Sequence, residues 1–211
     1  MKKLKKLIIA CDGESASGKS TAAKLISKKY NLTLVNSGLL YRYASKLSIK
    51  HKPKNLVSFL KKKFDKISYQ KIAKEKLHSE KISVNTAHLA KKKAIREIIN
   101  KFQKNIIRKN KRICVEGRDI ASKILSKSPK YDLAFYFKCN LNTASYRRWI
   151  DIKKQIPLNQ VKKSLKNRTE MDKIRKHSPL IKVKDAILIR TDRLTKKQVL
   201  LKMSKCIEKL H

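Results

Sequence analysis

The feature that most constrains the fold is the segment at residues 13–20, which fits the pattern G-x-x-x-x-G-K-S. A short apolar run at residues 7–11 precedes it and predicts a buried strand, and the apolar spacing of residues 21–30 predicts a helix after it. Strand, glycine-rich loop and helix in this order form a P-loop, in which backbone N–H groups bind phosphate. The pattern directs Lys19 to the terminal phosphates of a nucleoside triphosphate and the Ser20 hydroxyl to Mg²⁺.

The loop and the start of its helix are predicted to bind ATP as a unit. The residues concerned are Gly13, Glu14, Ser15, Ala16, Ser17, Gly18, Lys19, Ser20 and Thr21. A glycine at each end lets the backbone fold around a phosphate, and the helix N-terminus adds a favourable dipole.

The charge of the chain is extreme, with a formal net charge of +41 over 211 residues. This charge predicts a weak nonspecific affinity for nucleic acid. However, 45 of the 56 cationic residues are lysines spread along the whole chain, and only 11 are arginines. That distribution favours drift of an A+T-rich coding sequence over a dedicated nucleic-acid surface, where the bidentate guanidinium is preferred. An arginine in this chain therefore marks a place that needs a planar fork.

The compartment follows from apolar runs and cysteines. No apolar run reaches 18 residues, so we expect no membrane span. The run at residues 7–11 is too short for a signal peptide, and Asp12 follows it. The four cysteines lack metal-site spacing, and Cys11, Cys114 and Cys139 fall in or at the ends of predicted strands. Because this usage is typical of a reducing compartment, we expect a cytoplasmic protein.

Five short apolar runs alternate with helical patterns and predict a parallel α/β sheet. The predicted strands are residues 7–11, 32–35, 112–115, 133–137 and 186–189. The predicted helices are residues 21–30, 39–47, 87–108, 141–152, 160–176 and 195–210, the last with Thr195 as N-cap. Residues 50–84 lack a clear period, and both short strands and a helical turn fit them.

Further polar residues follow the predicted strands at their carboxyl ends, where such sheets bind ligands. Residues 36–42 follow the second strand, and residues 116–119 follow the third. Arg168, Asp172 and Arg175 have the spacing i, i+4, i+7, which places them on one helix face. They predict a second ligand, although surface ion pairs share this spacing. Asp12 and Glu116 either position Mg²⁺ through water or are ordinary strand-end carboxylates.

In their order and positions these motifs resemble the bacterial cytidylate kinase family, P-loop enzymes that make CDP from CMP and ATP. The resemblance covers nearly the whole chain. It rests on residues 12–21, Ser37-Gly38, Tyr41-Arg42, residues 94–97, residues 117–119, Arg147-Arg148, the Arg168, Asp172 and Arg175 triplet, and residues 178–180.

The resemblance implies a fold and a division of the chain. The fold is the P-loop NTPase type, with a five-stranded parallel sheet flanked by helices, a small monophosphate-binding insertion and a helical lid. The whole chain, residues 1–211, is then a single kinase domain. Its core covers about 1–45, 85–145 and 165–211, its insertion about 46–84 and its lid about 146–164.

The resemblance also implies roles for individual residues. Those resembling the CMP phosphate ligands are Arg42, Arg118 and Arg175, and those resembling readers of the cytosine edge are Arg96 and Asp119. Residues resembling those around the acceptor base and sugar are Ser37, Arg168 and Asp172, the last two at the sugar. Tyr41 is a further candidate for the substrate site. Arg147 and Arg148 fall in the lid over ATP. The implied catalytic set is Lys19, Arg118, Arg147, Arg148 and Arg175, and Ser20 is the implied Mg²⁺ ligand. Seven of the 11 arginines thus fall on family positions.

The implied chemistry is physically coherent. A carboxylate at Asp119 accepts a hydrogen bond from the cytosine 4-amino group, whereas uracil presents an acceptor there, at a cost of about 1–3 kcal/mol. The second pKa of a phosphate monoester is near roughly 6, so the acceptor is ionised at pH 7 and needs no general base. Catalysis then consists of alignment and charge neutralisation by Lys19, Mg²⁺ and the arginines.

Three departures from the family bear on selectivity. Asn36 stands where the family usually has Asp, and a serine that contacts the base maps to Ala87, beside Thr86. Residues 50–84, which correspond to a small inserted sheet in the family, are shorter and more basic. These changes leave a kinase for UMP or another small acceptor as one alternative, and a basic RNA-binding protein with a relic P-loop as another. We expect a monomer, because lid and insertion need room to move.

Overall fold

The structure is a computed structural model that describes residues 5–77 and 79–210. It divides into two compact units, each described here by itself. The first unit comprises Met1–Val35 and Asn110–His211, and the second comprises Asn36–Lys109.

A five-stranded parallel sheet organises the first unit. Its strands are β1 (Leu7–Gly13), β2 (Thr33–Asn36), β3 (Arg112–Glu116), β4 (Leu133–Lys138) and β5 (Ile187–Arg190), in the order β2-β3-β1-β4-β5. β1 pairs in parallel with β3 and β4, and β4 pairs with β5. All seven residues of β1 are buried, as a central strand covered on both faces requires. The predicted fold class is therefore confirmed, with each strand within two residues of its predicted bounds.

Two helices cover one face of the sheet. They are α1 (Lys19–Tyr30) and α9 (Lys196–Glu208). Alternate residues of β1 point to this face because side chains alternate along a strand, so Leu7, Ile9 and Cys11 share one core cluster with α1 and α9 residues. Thr195 caps α9 in a capping box with Gln198, which confirms the predicted N-cap.

The remaining elements of the first unit follow β3 and β4. A single π-helical turn, Ile120–Ile124, follows β3, and the helices α7 (Leu141–Asp151) and α8 (Leu158–Ile174) follow β4. α7 and α8 share a small apolar cluster that includes Ala144, Val161 and Leu165. The prediction that the second of these helices runs to residue 176 is wrong, because the backbone at Arg175 is extended.

The described part of the second unit is helical. Its helices are α2 (Ser37–His51), α3 (Leu56–Asp65), α4 (Tyr69–Ala73), α5 (Glu80–Leu89) and α6 (Lys93–Arg108). Apolar residues of these helices form one core cluster that includes Leu40, Leu60 and Ile99.

Residues 50–84 form helices where the resemblance implies a small sheet. Asn55, Ser68 and Ser79 each accept a hydrogen bond from the backbone N–H three residues ahead, and so cap α3, α4 and α5. These caps satisfy orphan N–H groups at each helix start. No residue of this stretch that the structure describes lies in a strand.

The single long helix predicted at residues 87–108 is wrong. It divides into the end of α5 and all of α6 because the N–H groups of Lys91 and Lys92 turn back to the carbonyls of His88 and Leu89. Lys92 then adopts an extended backbone before α6 begins. The apolar spacing continues across this turn, so periodicity alone did not reveal it.

The sheet leaves no room for a side chain at Gly13. A Cβ built there would lie 2.4 Å from the carbonyl oxygen of Phe137 and 2.8 Å from its backbone nitrogen. These are backbone atoms of the neighbouring strand β4, so they cannot rotate away. We expect Gly13→Ala to lower the free energy of unfolding by roughly 3 kcal/mol, measured by urea denaturation.

Gly38→Ala is the control for this substitution. A Cβ at Gly38 would lie 3.0 Å from Oδ1 of Asn36, the side chain that caps α2, which needs to shift by only a few tenths of an ångström. We expect a change within about 1 kcal/mol, because alanine is favoured over glycine in a helix. Equal stabilities of the two variants would contradict the close approach of β1 and β4.

Candidate active site

The P-loop connects the carboxyl end of β1 to α1. Gly18 is the N-cap of α1 with a left-handed backbone, at φ 78°, and no side chain caps the helix. The first-turn N–H groups of α1 therefore lack the usual capping acceptor and can bind an anion. This loop has the geometry of a phosphate site, as the sequence predicts.

A buried carboxylate at the end of β3 holds the two polar side chains that begin α1. Glu116 Oε2 accepts a hydrogen bond from Ser20 Oγ at 2.7 Å and lies 3.4 Å from Lys19 Nζ. Burial, with the nearby Arg118 guanidinium, lowers the pKa of Lys19, and Glu116 acts in the opposite direction. Hydroxyl and carboxylate oxygens are the ligands that Mg²⁺ prefers, so this pair fits the ion that accompanies a nucleoside triphosphate.

Two arginines share one carboxylate beside the P-loop. Arg118 Nε donates to Asp172 Oδ2 at 2.8 Å, and Arg175 Nη1 donates to Asp172 Oδ1 at 3.3 Å. Arg175 also lies 3.6 Å from Asp119 Oδ1, while Arg118 Nη2 reaches Ser15 Oγ of the loop at 3.4 Å. We name Arg118, Asp119, Asp172 and Arg175 the arginine cluster.

The residues of the arginine cluster do not lie along one helix face, in contrast to the sequence prediction for Arg168, Asp172 and Arg175. Arg175 is the C-cap of α8 with an extended backbone, so it does not continue the face that Asp172 occupies. Its Nε donates to the carbonyl of Ser178 at 2.6 Å, which holds the guanidinium toward Asp172. Arg168 lies on α8 one turn before Asp172 and is half-buried.

α8 also contacts the P-loop directly. Lys173 Nζ donates to Glu14 Oε1 at 2.8 Å, and Thr169 Oγ1 accepts from the Ser15 N–H at 3.4 Å. The loop is therefore held from β3 on one side and from α8 on the other.

The two predicted lid arginines differ in their contacts. Arg147 donates to the carbonyl oxygens of Thr191 and Asp192, at 2.9 and 3.4 Å, and so joins α7 to the end of β5. Thr191 in turn donates to the Ser17 carbonyl at 3.0 Å. Sequence reasoning missed Thr191, although its place two residues beyond the predicted fifth strand was a signal. No hydrogen bond or ion pair joins the Arg148 side chain to residues 5–77 or 79–210.

The predicted acceptor residues of α2 and α6 lie in the second unit. Arg96 stacks over the Tyr41 ring, with 5.4 Å between the guanidinium carbon and the ring centroid, and donates to the Ala90 carbonyl at 3.1 Å. Arg42 donates to the Leu77 carbonyl at 3.0 Å and to Ser83 Oγ at 2.9 Å. Both arginines and Tyr41 are buried, as is Ser37 at the first position of α2. The structure thus brings Tyr41 and Arg96 together.

With this geometry in place, comparison with known families is decisive. The model of the family described as cytidylate kinase matches residues 9–209. The chain belongs to the cytidylate kinase family. It is therefore a nucleoside monophosphate kinase, a transferase, which confirms the resemblance and the enzyme class inferred from the sequence.

Curated relatives agree over nearly the full length of the chain. The cytidylate kinase of Mesomycoplasma hyopneumoniae is 31% identical over 96% of this chain and 94% of its own. That of Fusobacterium nucleatum is 31% identical over 97% and 98%. That of Aquifex aeolicus is 30% identical over 94% and 95%.

Solved structures agree on the fold alone. An uncharacterized protein from Eubacterium ventriosum matches with a TM-score of 0.55 at 20% identity, over 97% of this chain and 99% of its own. Shikimate kinase from Bacteroides thetaiotaomicron matches with a TM-score of 0.52 at 12% identity, over 96% and 98%. The match to shikimate kinase is consistent with the P-loop fold. Among the helices of residues 5–77 and 79–210, none combines the length and apolar character needed to cross a membrane.

The shared carboxylate gives the arginine cluster a measurable role in stability. We expect Asp172→Asn to lower the free energy of unfolding by about 1–3 kcal/mol, because two largely buried guanidiniums lose a charged partner. Asp185→Asn is the control, since Asp185 pairs with Lys130 at 3.9 Å on the surface. That variant should stay within about 0.5 kcal/mol of the parent in urea denaturation. Equal losses would show that Asp172 does not organise the cluster.

Proposed function

We propose that this cytidylate kinase family member transfers the γ-phosphoryl group of ATP to CMP, and also to dCMP, giving ADP and CDP or dCDP. The observation that carries the proposal is the meeting of a P-loop with the arginine cluster in the first unit, where Arg118 reaches Ser15. The family match supports phosphorylation of CMP. It does not favour the two alternatives left by the sequence, a kinase for UMP or another acceptor and an RNA-binding protein with a relic P-loop.

The donor side is assigned to the P-loop. The N–H groups of residues 13–21 would cradle the ATP phosphates, and Lys19 would place its charge on the phosphoryl group that moves. Ser20 and Glu116 would hold Mg²⁺, since their oxygens lie 2.7 Å apart. When bound there, the ion would neutralise charge on the triphosphate.

The acceptor side is assigned to arginines and carboxylates. Arg118 and Arg175 of the arginine cluster, with Arg42, would bind the CMP phosphate as bidentate forks. Asp119 and Arg96 would read the cytosine edge. The residues assigned to the acceptor base and sugar are Ser37, Arg168 and Asp172, with Tyr41 as a further substrate-binding residue.

The reaction needs positioning more than proton transfer. The acceptor phosphate is ionised at neutral pH, so no general base has to be supplied. Lys19, Arg118 and Arg175 would align the two phosphates and offset the charge that spreads over the transferred group. Asp172 contributes by holding both guanidiniums in place.

The remaining proposals concern the setting of the enzyme. A monomer in the cytoplasm is proposed, with a core, an insertion at about 46–84 and a lid at about 146–164. The net charge of +41 supports a weak, salt-dependent affinity for nucleic acid. Loss of that affinity at moderate salt is expected, because contacts of lysines with phosphates weaken as the salt concentration rises.

The activity is tested by a coupled ADP-release assay with ATP and Mg²⁺ against CMP, dCMP, UMP, AMP and shikimate. We expect strong turnover of CMP and dCMP only. Lys19→Ala should lower kcat by about a hundredfold or more, because the charge on the transferred group loses its partner. Lys24→Ala, an exposed position on the same helix, should leave turnover unchanged. Absence of turnover with every nucleotide would contradict the proposal.

The adjacent lid arginines serve as controls for each other. Arg147→Ala should lower the free energy of unfolding by about 1–3 kcal/mol, because the Thr191 and Asp192 carbonyls lose their donor. Arg148→Ala should leave stability unchanged and lower kcat by about tenfold or more, because its charge serves bound ATP. Urea denaturation and steady-state kinetics separate the two effects. A destabilised Arg148→Ala with a normal kcat would refute this division of roles.

A further inference from the structure

Asp12 is a buried carboxylate that the mechanism above does not use. It lies near the carboxyl end of β1, directly before the P-loop, and is 2% exposed. Its Oδ1 accepts a hydrogen bond from the N–H of Ile120 at 2.9 Å, and its Oδ2 accepts one from the N–H of Ala121 at 2.8 Å. Each carboxylate oxygen therefore holds one backbone amide of the chain that follows β3.

These two amides stand next to the acceptor-binding residues. Ile120 begins the π-helical turn immediately after Arg118 and Asp119. On the other side of that pair, the Gly117 N–H donates to the Cys11 carbonyl at 2.9 Å, where the ladder between β1 and β3 ends. Two consecutive residues of β1 therefore fix the backbone on both sides of Arg118 and Asp119.

We propose that Asp12 is a positioning residue, which joins the strand that carries the P-loop to the segment that carries Arg118 and Asp119. This inference rests on the proposed function, since it takes Arg118 and Asp119 as acceptor ligands. Phosphoryl transfer requires the two phosphates to be aligned closely, and a small displacement of either ligand set is costly. Asp12 supplies that alignment from the donor strand through the two hydrogen bonds that its side chain accepts from backbone amides.

The geometry favours this role over a packing role. A buried carboxylate is costly to desolvate unless hydrogen bonds offset the cost, and an apolar side chain would fill the same space more cheaply. The amides of Ile120 and Ala121 require acceptors because a turn that starts inside a protein leaves its first N–H groups unpaired. One ionised carboxylate satisfies both, whereas an amide side chain offers a single acceptor oxygen.

Protonation of Asp12 gives the proposal a pH signature. Burial is the largest cause that raises the pKa of Asp12, to about 6, and the charge of Asp119 acts in the same direction. The hydrogen bonds from the two backbone amides and the charge of Lys19 act in the opposite direction. The other titratable groups near it are Cys11, Tyr131 and Tyr136, whose pKa values are all raised. Above pH 6 the ionised carboxylate accepts both bonds. Below pH 6 one oxygen carries a proton, so one amide loses its acceptor and the segment loosens.

The substitution Asp12→Asn tests the role with little change of shape. We expect the KM for CMP to rise about tenfold while the KM for ATP changes less than twofold, because one of the two bonds is lost. Amide hydrogen exchange of residues 117–121 should accelerate by about tenfold in the same variant. Exchange does not depend on turnover, so it reports on the segment even if the assignment of the substrate fails.

Asp132→Asn is the matched control. Asp132 Oδ2 accepts from the N–H of Ile8 at 2.7 Å, so it also bonds a backbone amide of β1, at the opposite end of the strand. We expect normal kinetic constants and normal exchange at residues 117–121. Equal effects of Asp12→Asn and Asp132→Asn on exchange at this segment would overturn the proposal, as would unchanged exchange in Asp12→Asn.

A titration of the parent protein keeps the proposal testable should Asp12→Asn fail to fold. The amide resonances of Ile120 and Ala121 should shift together with a midpoint near pH 6, because both amides bond the same carboxylate. Hydrogen exchange at Ile120 and Ala121 in the parent protein as fast as at unbonded surface amides would overturn the proposal, because the two bonds to Asp12 would then be absent. Failure of the proposed function would appear differently, as a parent protein that does not turn over CMP while both amides still titrate.

Discussion

The candidate site depends on the pairing of buried charges at the carboxyl edge of the sheet. The chain has only 15 carboxylates against 56 cationic residues, yet five of the 15 gather at this edge. They are Asp12, Glu14, Glu116, Asp119 and Asp172, and each holds a cation or a backbone amide of the site. A cationic site without them would repel itself, because charges of one sign in a low dielectric disfavour each other strongly. The carboxylates therefore hold the cations of the site in place.

Much of the fold could be predicted from the sequence because its signals are local. Short apolar runs predicted all five strands, and the spacing of the P-loop residues predicted the link from β1 to α1. The helical stretch 50–84 was harder, since its helices are short and start at the single caps Asn55, Ser68 and Ser79. Lysines occupy both faces of these helices, so the apolar residues show no clear helical period. The turn at Lys91 and Lys92 was missed because the apolar pattern runs through it.

The site could be predicted only as far as polar residues follow strands. The segments after β1 and β3 do meet at one edge, and Arg118, Asp172 and Arg175 do gather beside the loop. Their arrangement could not be predicted, because the apolar and charged spacing gives no sign that α8 ends before Arg175, where the backbone is extended and the side chain bonds the nearby Ser178 carbonyl. Thr191 was missed for a different reason: its place near a strand end was visible, but its partners Ser17 and Arg147 are distant in sequence. The roles of these residues with CMP and ATP stay predictions.

Burial explains why arginine persists in a chain that otherwise uses lysine. Apart from Lys19, the cationic residues classed as buried in the described chain are Arg42 and Arg96, and Arg175 has a side chain only 6% exposed. A guanidinium is less strongly hydrated than an ammonium and offers five donors, so fixed partners can replace its water. Arg42 does so with a carbonyl and a hydroxyl, and Arg175 with carboxylates and a carbonyl. Replacing arginine by lysine costs little free energy on the surface and much more at such buried positions. In this lysine-rich chain, Arg42, Arg96 and Arg175 therefore mark positions where a cation is buried among fixed acceptors.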